Sequence, residues 1–231
     1  MTCRLCVESA ARPGLFGARS RAFVMAIGLL AAVAQLSGCA AVAFPVAVIA
    51  GENKTVIAEA EYKGLDGQRV AVLVDAHDMI MAEHPLAQLE VSTAISRAIV
   101  DRVPVGSIVD PRQVVEFQNN NIYWNTMPYS RLAERLNVTR LVLIDLADYR
   151  LHEPGNVALW RGTVTGQVSV VEADGPRPDD RVYATQIAAQ YPDTPIGAVR
   201  SNEQAIRKGM LDVFALNIST RFYDFKTEVP R

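Results

Sequence analysis

Between Ala158 and Val170 the chain alternates apolar and polar residues with a period of two. Successive side chains of a strand point to opposite faces, so this pattern predicts a strand with one buried and one wet face. The turn "ADGPRPDD" follows, and Arg181 to Gln190 is predicted to return as an antiparallel hairpin partner. These two segments are therefore predicted to be neighbouring strands of an antiparallel sheet.

The other apolar segments have different spacings. Arg69 to Asp75 ("RVAVLVD") and the start of Arg140 to Leu151 are nearly continuous apolar runs, typical of strands buried on both faces. Apolar residues recur at helical spacing in Leu86 to Val103, in Tyr129 to Leu136 and in Asn202 to Arg221. The sequence thus predicts an α/β fold, a two-layer sandwich. We expect a mixed sheet that ends in an antiparallel hairpin and carries its helices on one face.

The N-terminal segment has the features of an export signal. Arg19 and Arg21 precede an apolar run from Ala22 to Ala34, and Leu36-Ser37-Gly38-Cys39 then resembles the lipobox of bacterial lipoproteins. The resemblance implies that residues 1–38 are a signal peptide and that Cys39 carries acyl chains such as palmitate. Residues 39–54 would then be a lipidated tether, and residues 55–231 a single α/β domain.

An uncleaved membrane-spanning helix is the alternative, because apolar character continues to Gly51. Either interpretation holds the domain at a membrane, facing an extracytoplasmic space. If Cys39 is the first mature residue, Ala40 is the second, where enteric lipoproteins retained in the inner membrane carry aspartate. The resemblance therefore implies an outer-membrane protein facing the periplasm.

The charge argues against a nucleic-acid-binding protein, and the cysteine content argues against a domain held together by disulfides. The net charge is only −2, so no basic surface points to a nucleic-acid partner. The three cysteines are Cys3, Cys6 and Cys39, which rules out a disulfide framework in the rest of the chain.

The order of segments resembles a group of bacterial envelope lipoproteins. The relevant stretches are "KGLDGQRVAVLVD", "YSRLAERLNVTRLVLIDLADYRL" and "WRGTVTGQVSVVEA", followed by a closing helix. The group comprises lipoproteins of the curli-secretion-channel and penicillin-binding-protein-activator type, with the amino-terminal domain of the TolB translocation protein. This resemblance implies a non-enzymatic envelope component that binds envelope proteins or associates with itself.

The segment "DAHDMIMAEH" follows a predicted buried strand and contains candidate metal ligands. Asp75, His77 and His84 are the candidates, because ligands bind near the carboxyl ends of strands in open α/β sheets. A solvated loop that leads into a helix explains the same residues. No helix-spaced H-E-x-x-H supports a metal, so we expect no metal and no other cofactor.

The loop "IYWNTMPY" is the candidate partner-contact site, with Tyr123, Trp124 and Tyr129 as its aromatic residues. Packing of Tyr123 and Trp124 against the sheet edge is an equal alternative.

Signatures of catalysis are missing from the sequence. It has no G-x-S-x-G elbow and no G-x-G-x-x-G loop, and Asp145 and Asp148 are expected on opposite faces of one strand. We therefore predict a non-enzymatic, lipid-anchored envelope protein that binds or scaffolds partner proteins. The alternatives are an oligomeric subunit of a secretion or export assembly and a metal-dependent hydrolase that uses the Asp75 to His84 loop.

Overall fold

The computed structural model describes residues 54–229. The predicted signal peptide, Cys39 and nearly all of the predicted tether lie outside these residues. The described elements, in chain order, are β1 (Lys54–Ala58), β2 (Arg69–Ala76), α1 (Asp78–Glu83), α2 (Ala87–Arg102), β3 (Ser107–Ile108), α3 (Pro111–Asn120), α4 (Tyr129–Leu136), β4 (Arg140–Glu153), β5 (Asn156–Glu172), β6 (Arg181–Tyr191), α5 (Glu203–Ser219) and β7 (Phe225–Val229). A single 3-10 turn, Trp124–Thr126, lies between α3 and α4.

A five-stranded mixed sheet forms the centre of the fold, with strand order β3-β2-β4-β5-β6. Strand β2 is parallel to β3 and β4, whereas β4–β5 and β5–β6 are antiparallel. Strands β1 and β7 pair antiparallel in a separate two-stranded sheet. The predicted mixed α/β fold with an antiparallel hairpin near its C-terminal end is confirmed.

The two long helices, α2 and α5, pack on one face of the sheet, which we call the core face. Alternate residues of β2 and β4, such as Val72 and Ile144, meet Ile95 of α2 and Phe214 of α5 in one buried cluster. Gly162 of β5 also lies on this face, where a Cβ atom would be only 2.7 Å from the Cβ of Met210. Helix α5 therefore lies in close contact with the backbone of β5.

The opposite face of the sheet, which we call the open face, is covered by helices only over β2 and the start of β4. There Leu73 and Leu143 pack with Val114 of α3 and with Leu132 of α4. The expectation that all helices lie on one face therefore holds for the long helices and needs correction for α3 and α4. Strands that are apolar on both faces need cover on both faces, and the two short helices supply it.

Arg140, the first residue of β4, is the centre of a buried polar network at the N-terminal end of that strand. Its side chain is only 10% exposed. It donates to the carbonyl oxygens of Gly64 and Thr139, each at 2.9 Å, and forms an ion pair with Asp174. Glu172 lies 4.0 Å away. The network ties the β4–β5 pair to the segment before β2.

No helix within residues 54–229 combines the length and the apolar character that a membrane crossing requires.

Candidate functional site

Four polar residues stand side by side across the open face, one on each of four neighbouring strands. Asp75 pairs in register with Asp145, Asp145 with Gln167, and Gln167 with Gln186. Directly paired residues point to the same face of a sheet, so these side chains form a polar row. The row begins at Asp75, near the carboxyl end of β2 and where the parallel pairing of β2 with β4 ends. Open α/β sheets bind ligands at the carboxyl ends of their strands.

The polar row forms the floor of a cleft of about 530 Å³. No residue of α3 or α4 is among its lining residues, whereas Asn125, in the connection between these helices, is. Asn125, His77 and Thr165 add further polar groups to its lining. Amide, hydroxyl and carboxylate groups together can both donate hydrogen bonds to a bound molecule and accept them from it.

Arg181, the first residue of β6, connects the polar row to helix α4. Its Nη1 lies 3.2 Å from Oδ2 of Asp145, and its Nε donates to the hydroxyl oxygen of Tyr129 at 3.2 Å. The guanidinium group also lies 5.9 Å from the centre of the Tyr129 ring. Tyr129, one of the three predicted contact residues, is therefore held in place beside the cleft by Arg181.

The other two aromatic residues of the predicted contact loop have opposite environments. Trp124 is 9% exposed and packs in the open-face core, as the alternative interpretation expects. Tyr123 is 76% exposed and Ile122 is 79% exposed. The loop joins the cleft through Asn125, whose Nδ2 lies 3.4 Å from Oδ2 of Asp75. Its role in partner contact stays a prediction.

The three candidate metal ligands do not come together. Asp75 and His77 line the cleft, whereas the ring of His84 lies 4.9 Å from that of Tyr149. Helix α1 lies between the two histidines in the chain, and its six residues extend about 9 Å, which keeps His77 and His84 apart. Burial, and next the charge of Arg207, lower the pKa of His84. Within the described part of the chain, no group of three or more His, Cys, Asp or Glu side chains is arranged to hold a metal.

The expectation that Asp145 and Asp148 point to opposite faces is wrong. A bulge in β4 shifts the register, so that Asp145 pairs with Gln167 and Asp148 pairs with Thr165. Both aspartates therefore lie on the open face. Each has its own cation: Asp148 accepts from Nε of Arg150 at 2.8 Å, and Asp145 faces Arg181.

Sequence reasoning missed Gln167, Gln186, Asn125 and Arg181 as members of the site. The polar phase of the β5 alternation already contains Gln167. Its neighbours across the sheet follow only from strand order and register, which no local pattern reports.

Comparison with known proteins gives similarity at the level of structure only. No protein-family model and no curated protein matches the chain. The PelC dodecamer from Paraburkholderia phytofirmans has a TM-score of 0.46 and 9% identity, covering 74% of this chain and 99% of that chain. Lipoprotein GNA1162 from Neisseria meningitidis has a TM-score of 0.35 and 14% identity, covering 62% and 91%. Similarities this distant carry no argument about function, and the resemblance to the curli-channel and TolB group stays a prediction.

Proposed function

We propose that the protein is a lipid-anchored component of the bacterial cell envelope that binds a partner protein and catalyses no reaction. Cys39 is the lipidated residue, and the outer membrane facing the periplasm is the proposed location. The partner contacts the loop from Ile122 to Tyr129 and the cleft beside it. The alternative of a secretion-assembly subunit shares the anchor and differs in the partner.

A single observation supports the contact site: an exposed apolar pair stands on a loop that is held in one conformation. Ile122 and Tyr123 are both more than three-quarters exposed. Beneath them Trp124 is buried, and its backbone N–H donates to the carbonyl of Asn121 at 2.8 Å. The hydroxyl of Thr126 donates to the carbonyl of Tyr123 at 2.9 Å. Residues that are ordered before binding lose less conformational entropy when a partner docks, which favours affinity.

The anchor is tested by the variant Cys39→Ser, expressed in the native host and followed by membrane fractionation. Serine cannot accept the thioether-linked lipid, so we expect the variant to leave the membrane fraction. Retention of the variant in membranes would favour the uncleaved span, and intact-mass measurement of the wild-type N-terminus would show whether acyl chains are present.

The contact site is tested by in-cell photocrosslinking with a photoreactive phenylalanine analogue at position 123. We expect a discrete crosslinked protein that is lost when Ile122→Ala is added. Position 157 provides the matched control, because Val157 is 83% exposed but lies at the β4–β5 turn. Equal crosslinking at both positions, or none at position 123, would contradict the proposed contact site.

A further inference from the structure

Strand β6 ends the five-stranded sheet, and within residues 54–229 no strand pairs with its outer edge. This strand is eleven residues long, and it has neither a charged residue nor a proline from Val182 to Tyr191. Proteins usually protect edges of this kind with lysine, proline or bulges, because an open edge pairs readily with another strand. Strand β6 has a bulge at Val182, where its register with β5 shifts between Tyr183 and Arg181. From Tyr183 to Tyr191 its pairing with β5 is regular, and the outer edge there is suited to strand pairing.

The direction of the backbone groups identifies which residues of β6 face outward. At the end of β5, the backbone N–H of Ala173 donates to the carbonyl oxygen of Thr139 at 3.0 Å, on the side of β5 that faces β4. From Glu172 back to Thr163, β5 has no extra residue in its pairing with β4. Backbone groups alternate sides along a strand, so Val164 and the other core-facing residues of β5 point toward β6. Their partners in β6, such as Ala189, point back.

The residues between those partners must then point outward, and they are Ala184, Gln186, Ala188 and Gln190. One contact supports this assignment independently. The Asn217 side-chain amide donates to the carbonyl oxygen of Ala188 at 3.2 Å from outside the β5–β6 ladder. Gln186, the middle residue of β6, therefore directs its N–H and carbonyl groups to the open edge.

We propose that β6 pairs antiparallel with β6 of a second copy of this chain, about a two-fold axis at Gln186. The two Gln186 residues exchange both backbone hydrogen bonds, and pairing extends over the regular part of the strand, from Tyr183 to Ala189 of each copy. Ala184 then stands opposite Ala188 of the second copy. Ala184, Gln186 and Ala188 are outward-pointing positions, so this register pairs their backbone groups on both strands. The Ala188 carbonyl oxygen, which accepts from the Asn217 amide, has a second lone pair for the added hydrogen bond.

The side chains fit this register without repulsion. On the open face the two Gln186 amides meet, and each amide can donate to and accept from the other. On the core face Tyr183 meets Ala189 and Thr185 meets Ile187, so each larger side chain stands opposite a smaller one. The only charged residue of β6, Arg181, lies beyond the bulge and outside the paired segment, so no like charges meet within it. This self-complementarity favours a second copy over an unrelated strand.

Disulfide trapping tests the register in the full-length chain, purified from membranes in detergent. The variant Gln186→Cys places two thiols on Cα atoms about 5.5 Å apart, within the range that a disulfide spans. We expect a dimer that forms on oxidation and is lost on reduction. The variant Gln190→Cys should give none, because the two residues would be about 27 Å apart. The double variant Ala184→Cys, Ala188→Cys should again give the dimer.

The wild-type chain under the same oxidation is the control for Cys3, Cys6 and Cys39. A dimer with Gln190→Cys alone, or none with Gln186→Cys, would overturn the proposed register.

Mass measurement tests the association itself. We expect the wild-type protein to have a dimer mass or a multiple of it. The double variant Ala184→Lys, Ala188→Lys places like charges directly opposite each other at exposed positions. It should raise the dissociation constant by about tenfold or more, with the monomer's thermal unfolding unchanged. A monomeric wild type overturns the proposal. The proposal is also overturned if β6 of the wild-type protein crosslinks to another protein or to residues 40–53 of its own chain.

Discussion

Replacement of Gly162 by alanine should destabilise the protein, because helix α5 lies directly over this position. The new Cβ would lie 2.7 Å from Cβ of Met210 and 3.1 Å from Cγ2 of Ile206. Favourable carbon–carbon contacts are about 3.5–4.0 Å, so the helix must move away by roughly 1 Å. The Cβ of Met210 is fixed to the helix backbone, and no side-chain rotation can relieve the clash.

The magnitude follows from opposing effects. Overpacking of this kind costs about 1–3 kcal/mol. An alanine also restricts the unfolded chain, which returns about 0.4–1 kcal/mol. We therefore expect a net loss of about 1–2 kcal/mol in the free energy of unfolding, or a lowering of Tm by about 2–8 °C for a domain of this size. Urea titration followed by circular dichroism measures the loss, with the denaturant slope unchanged.

Gly209→Ala is the matched control. Its Cβ would lie 2.4 Å from ring atoms of Tyr191, but Tyr191 is 39% exposed, and we expect a change of its χ1 rotamer to move the ring away. Gly209 lies within α5, where alanine is favoured over glycine by about 1 kcal/mol. We expect stability within about 0.5 kcal/mol of wild type. If Gly162→Ala is equally harmless, α5 does not pack against β5 as described.

Three further predictions concern other parts of the fold. Arg140→Met removes the buried guanidinium and should cost about 2–3 kcal/mol in chemical denaturation. The exposed Arg150–Asp148 pair provides its control, because Arg150→Met should cost less than about 1 kcal/mol. Asn202 caps α5 by accepting from the N–H of Ala205 at 2.9 Å. Asn202→Ala should therefore cost about 1 kcal/mol and Asn202→Gly only a few tenths, and the opposite order would exclude a capping role. Finally, because folding lowers the pKa of His84 below its usual 6.5, the unfolded state binds the proton more tightly. Stability should fall as pH decreases through 6.5 toward the folded pKa, and His84→Gln should remove part of that fall in a pH series of denaturation curves.

Local patterns predicted most of the elements because their signals are periodic. The alternation from Ala158 to Val170 lies within the observed strand Asn156–Glu172, and the predicted helix Tyr129 to Leu136 has the observed bounds. The short helix α1 and the strand β7 were missed. Helix α1 has six residues, too few to show a period, and β7 exists through its pairing with β1 at the other end of the chain.

The candidate site was less predictable than the fold. Asp75 and His77 were identified because they follow a buried strand, a signal that lies within a few residues. The polar row also needs strand order, and the shared face of Asp145 and Asp148 needs a one-residue bulge. Both are properties of strand pairing, which connects residues far apart in the chain.

The separate ribbon of β1 and β7 places Lys54 in register with Val229, so the described chain begins and ends at neighbouring positions. A short peptide could join these two positions without altering any other part of the molecule. The domain from Lys54 to Val229 is thus suited to backbone circularisation through a short linker. For the same reason, a reporter fused behind Val229 would begin next to Lys54.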